Sequence, residues 1–567
     1  MQFPPLATQR APVAWGAKLD AHPRRCGADG PVWFRLKGKQ MSEITAARDT
    51  SFVGHPKGLM TLFATEMWER MSYYGMRGLL VLFMTAAIAE GGLAFGTATA
   101  TAIYGLYTAS VYFMGLPGGW VADRMIGSQQ SIWYGGIIIM CGHIVLAIPG
   151  VNTFFIGLML VVIGTGLLKP NITAIVGQLY DAKDERRDSG YAIYYMGINI
   201  GSFIGYTICG ALYEWQGAHW AFGASAVGMG LGLLIFYFTR DNLKGAGAAP
   251  NAPLTEAGQR KGWMGIGAFL VALAIVTVLM LTGTFGFDPV EASKLVAVTF
   301  VGIFFVYFFW VYFMGGLSPV EKKGMWAFML ICVASTMFWS GFEQAGSSLN
   351  LFGQDFTNRM IGDFELPTAW LQNANPAFII LLTPFFAYFW IWLGKRMMTP
   401  GYGLKMGVGL IIMGLGFVVM VFAAQAASQG KVAIFWLVLT YFLHTVGELT
   451  LSPISLSAVS KLSPPRYLGQ MMGLFVLTYS MGNIIAGLLA GGFDPENVAE
   501  MPDLFQMIAT FAIGTGAVVF LIGMFTKGWE RDVEQANADK IDMLDGDMTG
   551  AQPELPGNLA PEGEPAR

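Results

Sequence analysis

Residues Thr65 to Leu80 read TEMWERMSYYGMRGLL, four charges and two tyrosines inside an otherwise apolar helical stretch. Glu66, Glu69, Arg70, Tyr73, Tyr74 and Arg77 fall at offsets of 0, 3, 4, 7, 8 and 11, which a period of 3.6 gathers onto one face. A charged side chain at the centre of a bilayer costs about 2.5–3.5 kcal/mol even on lenient insertion scales, so this face turns to a bundle interior or a watery path. A purely structural ion-pair stripe is the alternative, but two carboxylates and two guanidiniums exceed what packing requires.

Working outward, the 567 residues are 54% hydrophobic and only 13% charged, against about 25% charged in soluble domains. The chain therefore reads as an all-α polytopic membrane protein. Its net charge of −3 leaves no basic footprint for nucleic acid. Cys141, Cys209 and Cys332 lie singly in apolar stretches and Cys26 in a polar leader, a pattern that makes neither a disulfide framework nor a metal knuckle. No metal and no other cofactor is expected.

A spanning helix needs about 20 mostly apolar residues. Fourteen stretches qualify, at 58–88, 99–122, 128–149, 153–179, 189–213, 218–239, 263–283, 294–315, 325–351, 373–394, 403–426, 432–460, 467–491 and 503–526. The basic residues of the short loops, among them Arg124, Arg186, Arg187, Arg240, Lys322, Lys323 and Lys395, fall on one side if the spans alternate. By the positive-inside rule that side, with both termini, is cytoplasmic.

The chain divides into a disordered cytoplasmic leader (1–57), a six-helix bundle (58–239), a cytoplasmic linker (240–262), two extra helices with their linker (263–323), a second six-helix bundle (324–527) and an acidic disordered tail (528–567). The leader lacks the apolar core of a signal peptide. Met41 opens a more ordinary polar segment, so the residues before it read as dispensable or as a misassigned start. The extra pair, nearly free of charge within the membrane, reads as lipid-facing packing.

Six motifs, in order and each on a different span, carry a family resemblance: Glu-x-x-Glu-Arg-x-x-Tyr-Tyr at Glu66–Tyr74, GGWVADR at Gly118–Arg124, GLLKPNI around Lys169, YYMGINIG at Tyr194–Gly201, FEQAGSSLNLF at Phe342–Phe352 and GELTLSPISLSAVSKLSPPR at Gly447–Arg466. With them the chain, from about Gly58 to Lys527, resembles the proton-dependent oligopeptide transporter family of the major facilitator superfamily. The resemblance implies twelve core helices in two six-helix halves, two added helices after the sixth as in bacterial members, and import of di- and tripeptides with protons. In one departure, Phe475 stands after Met471 and Met472 where family members often carry a tryptophan, so the family's side-chain preference does not transfer.

A carrier of a zwitterionic peptide must offer a cation to the carboxylate, an anion to the ammonium and a titratable group for coupling. Arg77 and Lys169 of the first half suit the first task. Glu343 and Glu448 of the second lie inside apolar spans, so opposite poles would meet where the halves join. By resemblance, Glu66, Glu69 and Arg70 with Lys169 form the cluster that links protonation to gating, and Glu343 is the second-half coupling carboxylate. Burial favours a protonated carboxyl and a neighbouring cation the ionised one, so breaking such a pair is a switch.

The peptide pocket implied by the family is Arg77, Tyr73, Tyr74, Tyr107, Lys169, Asn199, Asn375, Glu448 and Ser452. The asparagine amides can both donate to and accept from a peptide backbone. His444, one turn before Glu448, is a candidate proton relay against the commoner reading of a packed histidine, and His143 is a weaker one. The expected protein is a monomeric symporter of the inner membrane, surrounded by lipid, with no enzymatic chemistry. The nearest alternative is a proton-coupled carrier of the same fold for an amino acid, nitrate or a peptide-like drug; a membrane enzyme or receptor is a more distant one.

Overall fold

In a computed structural model the described residues are 49–181, 184–284, 286–396 and 400–550. Sixteen α-helices carry the fold among these described residues. The first half holds α1 (Lys57–Arg77), α2 (Leu80–Thr85), α3 (Thr97–Val121), α4 (Ser128–Leu146), α5 (Val151–Gln178), α6 (Arg186–Gln216) and α7 (Ala218–Thr239). Then come α8 (Glu256–Leu281) and α9 (Pro289–Met314). The second half holds α10 (Pro319–Phe342), α11 (Ser348–Asp355), α12 (Ala374–Lys395), α13 (Tyr402–Ala427), α14 (Phe435–Leu462), α15 (Leu468–Ala490) and α16 (Met501–Gly550).

Among the described residues, eleven segments are long and apolar enough to cross a membrane, against the fourteen expected. The helices α1, α3 and α4 pack in the same bundle but fall outside that number. The first holds Glu66, Glu69, Arg70 and Arg77, and the other two are diluted by Thr, Ser, Gln and Gly.

Glycine spacing explains how the charged stripe of α1 is brought inside. Gly197, Gly201 and Gly205 of α6 recur every fourth residue and face Phe63, Met67 and Met71 of α1; a methyl group at Gly201 would strike the Met67 carbonyl. Small residues at this spacing let two membrane helices approach at backbone distance. The two helices pack along their length, with α7 against the other side of α1. Between the halves, α3 packs on α15 and α6 on α12. The extra pair divides: α9 lies on α3 and α15 with Phe300, Phe304 and Phe308 buried, whereas the apolar stretch of α8 has no buried residue.

Several helix ends depart from the hydropathy reading because caps are polar. Asp288 accepts from the amides of Val290 and Glu291, which starts α9 at Pro289 rather than 294. Ser318 and Glu321 form a reciprocal capping box, which starts α10 at Pro319 rather than 325.

Both unstructured ends are corrected over their described parts. Residues 49–57 of the leader pack on the first half: the amides of Ser51 and Lys57 donate to Asp49, Lys244 Nζ lies 3.3 Å from its carboxylate, and His55 Nδ1 lies 2.9 Å from the Tyr180 hydroxyl. The Ser51 hydroxyl on Asp49, with the other donors, holds that carboxyl down at about 2. Residues 1–48 lie outside the described part of the chain. The tail, expected to be disordered from 528, instead continues α16 to Gly550; residues 551–567 lie outside the description.

The reason is a set of partners hydropathy does not register. Glu530 accepts from the amides of Tyr402 (2.9 Å) and Gly403 (3.3 Å), Tyr402 donates its hydroxyl to Glu534 at 2.5 Å, and Asn537 donates to the Lys461 carbonyl at 2.8 Å. Glu530 thus caps the first turn of α13. Glu530→Ala should lower stability by about 0.5–2 kcal/mol, the usual loss of a cap, read as an earlier unfolding midpoint in detergent. Glu530→Gln should recover part of the loss, since it keeps an acceptor.

Candidate functional site

The α1 stripe forms a four-membered charge cluster. Arg70 grips Glu69 with two nitrogens, Nη2 standing 2.6 Å from Oε1, and its Nε lies 3.3 Å from Glu66 Oε1. Lys169 Nζ of α5 lies 3.7 Å from the same Glu66 oxygen. Both carboxylates are fully buried, while the Lys169 side chain is 34% exposed, so lysine is the most accessible member of the cluster. Two acids and two bases leave the cluster formally neutral, which is what permits its burial. The Arg70 guanidinium lies 4.7 Å over the Tyr73 ring, which stacks in turn on Tyr107.

Eleven residues beyond Glu66 the stripe reaches the other half. The Arg77 guanidinium is paired with the Glu343 carboxylate, and its Nε donates to the Tyr104 hydroxyl at 2.7 Å. Glu343 opens a short 3-10 turn, Glu343–Gly346, that interrupts the expected span 325–351 between α10 and α11. Sequence reading assigned Arg77 to peptide and Glu343 to coupling, and the structure joins the two.

Beyond this pair one end of the bundle is shut. Gly78, where α1 breaks, accepts from Asn350 Nδ2 at 2.8 Å and Gln372 Nε2 at 3.4 Å. The Trp370 indole donates to the Thr207 carbonyl at 2.8 Å, and Arg359 lies 3.4 Å from Glu214. At the opposite end Asp184, Arg187 and Tyr191 of the first half face Leu456, Ser457 and Met472 of the second across a cavity of about 640 Å³.

Asn350→Ala removes one of the donors on Gly78. The loss of about 1 kcal/mol should shift the open–closed equilibrium of the shut end roughly fivefold. Spin labels at Glu90 and Met360 should report a larger long-distance population; an unchanged distribution would show that this bond does not hold the end closed.

On the second half, Glu448 Oε2 accepts from Asn375 Nδ2 at 3.1 Å, and Oε1 from the Tyr195 hydroxyl of α6 at 3.3 Å. These partners are neutral, and the carboxylate, only 7% exposed, forms no ion pair among the described residues. Asn375 is held in turn by Thr445 Oγ1 at 3.0 Å.

The other expected pocket residues divide. Tyr74 and Ser452 are half-buried, and the Ser452 hydroxyl has no partner among the described residues. Tyr73 and Tyr107, 3% and 5% exposed, support the charged residues from behind rather than forming an open wall. Asn199 is buried and donates to the Tyr195 carbonyl at 2.9 Å. Phe475 is fully buried against Tyr479, away from any opening. His444 sits with its ring 4.9 Å from that of Phe417, in an aromatic cluster rather than on a polar path. Tyr104 and Tyr195 escaped sequence reading, although each lies one turn before a chosen residue, Tyr107 and Asn199, on the same helix face.

The POT family profile matches residues 129–504. "Peptide transporter YePEPT" of Yersinia enterocolitica subsp. palearctica is 38% identical over 485 residues, 83% of this chain and 94% of that one. A "Di-/tripeptide transporter" of Lactococcus lactis subsp. cremoris is 33% identical over 490 residues, 84% of this chain and 96% of that one. The crystal structure of a peptide transporter POT in complex with sulfate superposes with a TM-score of 0.80 at 38% identity, over 86% of this chain and 99% of that one. Likeness of this extent, with the family profile reaching into both halves, makes the chain a multi-pass membrane protein of the POT family, with the fold of the major facilitator superfamily.

Proposed function

We propose that this protein is a proton-coupled symporter that imports di- and tripeptides across the inner membrane by alternating access. The observation that carries the reading is the polarity of the joint between halves. Lys169 and Arg77 come from one half; Glu448, a carboxyl held by neutral partners with no cation beside it among the described residues, comes from the other. A zwitterion of peptide length satisfies both poles at once, its carboxylate toward the cations and its ammonium toward Glu448. The relatives named above are peptide transporters, which supports the same substrate class. Nitrate fits worse, since Glu448 in its ionised form would repel it.

In this reading twelve core helices form the two halves and α8 with α9 are additional. The basic loops make both termini cytoplasmic, and the open end is then the cytoplasmic one. Glu66, Glu69, Arg70 and Lys169 form a gating cluster whose pairing changes with protonation. Arg77 and Glu343 lock the outer end. Tyr74, Tyr195, Asn199, Asn375 and Ser452, backed by Tyr73 and Tyr107, complete the pocket. The protein works as a monomer, without cofactor and without covalent chemistry. Each proton carried inward supplies about 2.3 kcal/mol per 100 mV, enough for uphill accumulation with one or two per cycle.

The test is uptake of labelled alanyl-alanine into proteoliposomes. Accumulation against a gradient that collapses with a protonophore supports the proposal. Uptake of nitrate or a single amino acid in preference to the dipeptide would favour the same-fold alternative, and absence of any uptake would overturn transport.

A further inference from the structure

A second cavity, of about 780 Å³, lies on the far side of the Tyr107 ring from the charged stripe. Its walls are single helix faces. Thr99, Ile103 and Tyr107 recur every fourth residue along α3, and the wall continues to Met114; Leu273, Thr277 and Met280 mark the inner stripe of α8, and Phe155 and Met159 belong to α5. At about 1.5 Å per residue, the α3 wall from Thr99 to Met114 is roughly 22 Å long. That exceeds the roughly 15 Å depth of one leaflet, so the cavity is a slot, not a sphere. The end nearer the α8–α9 loop is bounded by Gly283, Gly286 and Phe287.

Three features define an occupant. Among the described residues no charged side chain lines the slot, and Thr277, one of its few polar groups, already donates to the Leu273 carbonyl at 2.7 Å. The outer face of α8 is bare, with Val271 60% and Ile275 55% exposed, as lipid contact requires. The volume is within the range of small-molecule sites, about 300–1,000 Å³. A helix from a second copy, at a diameter of about 10 Å, would need roughly 1,250 Å³ over a 16 Å length and does not fit. An empty slot would forfeit dispersion contacts along its whole lining.

We propose that α8, with α3 and α5, forms a binding slot for one acyl chain of a membrane phospholipid, and that holding this chain against the back of Tyr107 is a task of the extra helix pair. A slot without a cation selects the chain rather than the headgroup. The site is separate from the peptide pocket and is not tested by transport.

The experiment reconstitutes the full-length protein in vesicles containing phosphatidylethanolamine with a photoreactive diazirine on its acyl chain, and maps the adducts by peptide mass spectrometry. Adducts on Ile103, Met159 and Leu273 are expected, with loss of those on Ile103 and Met159 in Leu273→Trp, which fills the slot. They should persist in Val271→Trp, which alters only the outer face. Adducts confined to Val271, Ile275 and Val278 in the unmodified protein would overturn the proposal whether or not the filled variant folds. So would labelling of the slot by a free diazirine fatty acid but not by the phospholipid.

Discussion

Glu343→Gln is expected to reduce proton-driven dipeptide accumulation to the level seen with a protonophore, while leaving counterflow exchange near that of the unaltered protein. The expectation follows from what Glu343 touches. Its carboxylate neutralises Arg77 across the joint between halves, and the Arg77 guanidinium is further fixed by the Tyr104 hydroxyl. On the proposed reading, while that pair stands Arg77 is not available to a peptide carboxylate and the shut end stays closed. Separating two buried opposite charges without compensation is strongly unfavourable, about 3–5 kcal/mol when one partner is simply lost.

In the proposed cycle a proton on Glu343 together with a peptide carboxylate on Arg77 would compensate both at once, so that the two ligands open the lock jointly. That joint requirement is coupling. Glutamine mimics the protonated carboxyl permanently: the lock no longer waits for a proton, peptide still exchanges, and the gradient no longer does work on it. In the unaltered protein uptake should rise as the outer solution is acidified, and in the variant it should be flat.

Since Arg77 loses its charged partner, folding is checked by size-exclusion profile, with Arg77→Gln plus Glu343→Gln as a folding control only, because it lacks the lone buried charge but also the cation proposed for the peptide. Loss of counterflow together with driven uptake, in protein that remains folded, would refute the coupling role.

How much of this was legible in the sequence depends on the range of each interaction. The α1 stripe was readable because its members lie within three turns, and helical period alone puts them on one face. The Gly197, Gly201 and Gly205 series was visible too, but what it packs against was not. The Arg77–Glu343 pair joins residues 266 apart in the chain, and only the packing of one half on the other brings them together. The same limit applies to Tyr195 and Glu448, and to Asn350 and Gly78.

Hydropathy located helices but misread their ends at Asp288 and Ser318, because capping needs the polar residues that a hydropathy window counts as loop. It misread the tail for a related reason. Glu530, Glu534 and Asn537 look like solvated composition until the α13 amides, the Tyr402 hydroxyl and the Lys461 carbonyl are placed beside them.

Glu448→Gln is expected to raise KM for alanyl-alanine by about 10- to 100-fold, the loss of a charge-assisted hydrogen bond of about 1.5–3 kcal/mol. The informative comparison is with N-acetyl-alanyl-alanine, which lacks the ammonium. The unaltered protein should transport it poorly, and Glu448→Gln should leave that poor transport nearly unchanged, so that discrimination between the two peptides collapses. An equal loss for both would mean that Glu448 positions the pocket without meeting the ammonium, and no loss for either would remove it from the site.

The geometry favours the first outcome because of what surrounds the carboxylate. A cationic partner would have to be displaced before a peptide could bind, at the cost of the pair it leaves. Asn375 and Tyr195 instead orient the carboxylate with neutral donors, so in the proposed cycle it is free to meet the ammonium. Tyr195 belongs to the other half, so Tyr195→Phe should weaken the link between occupancy and movement more than it weakens binding. It removes one neutral donor and leaves in place the Glu448 carboxyl proposed to meet the ammonium.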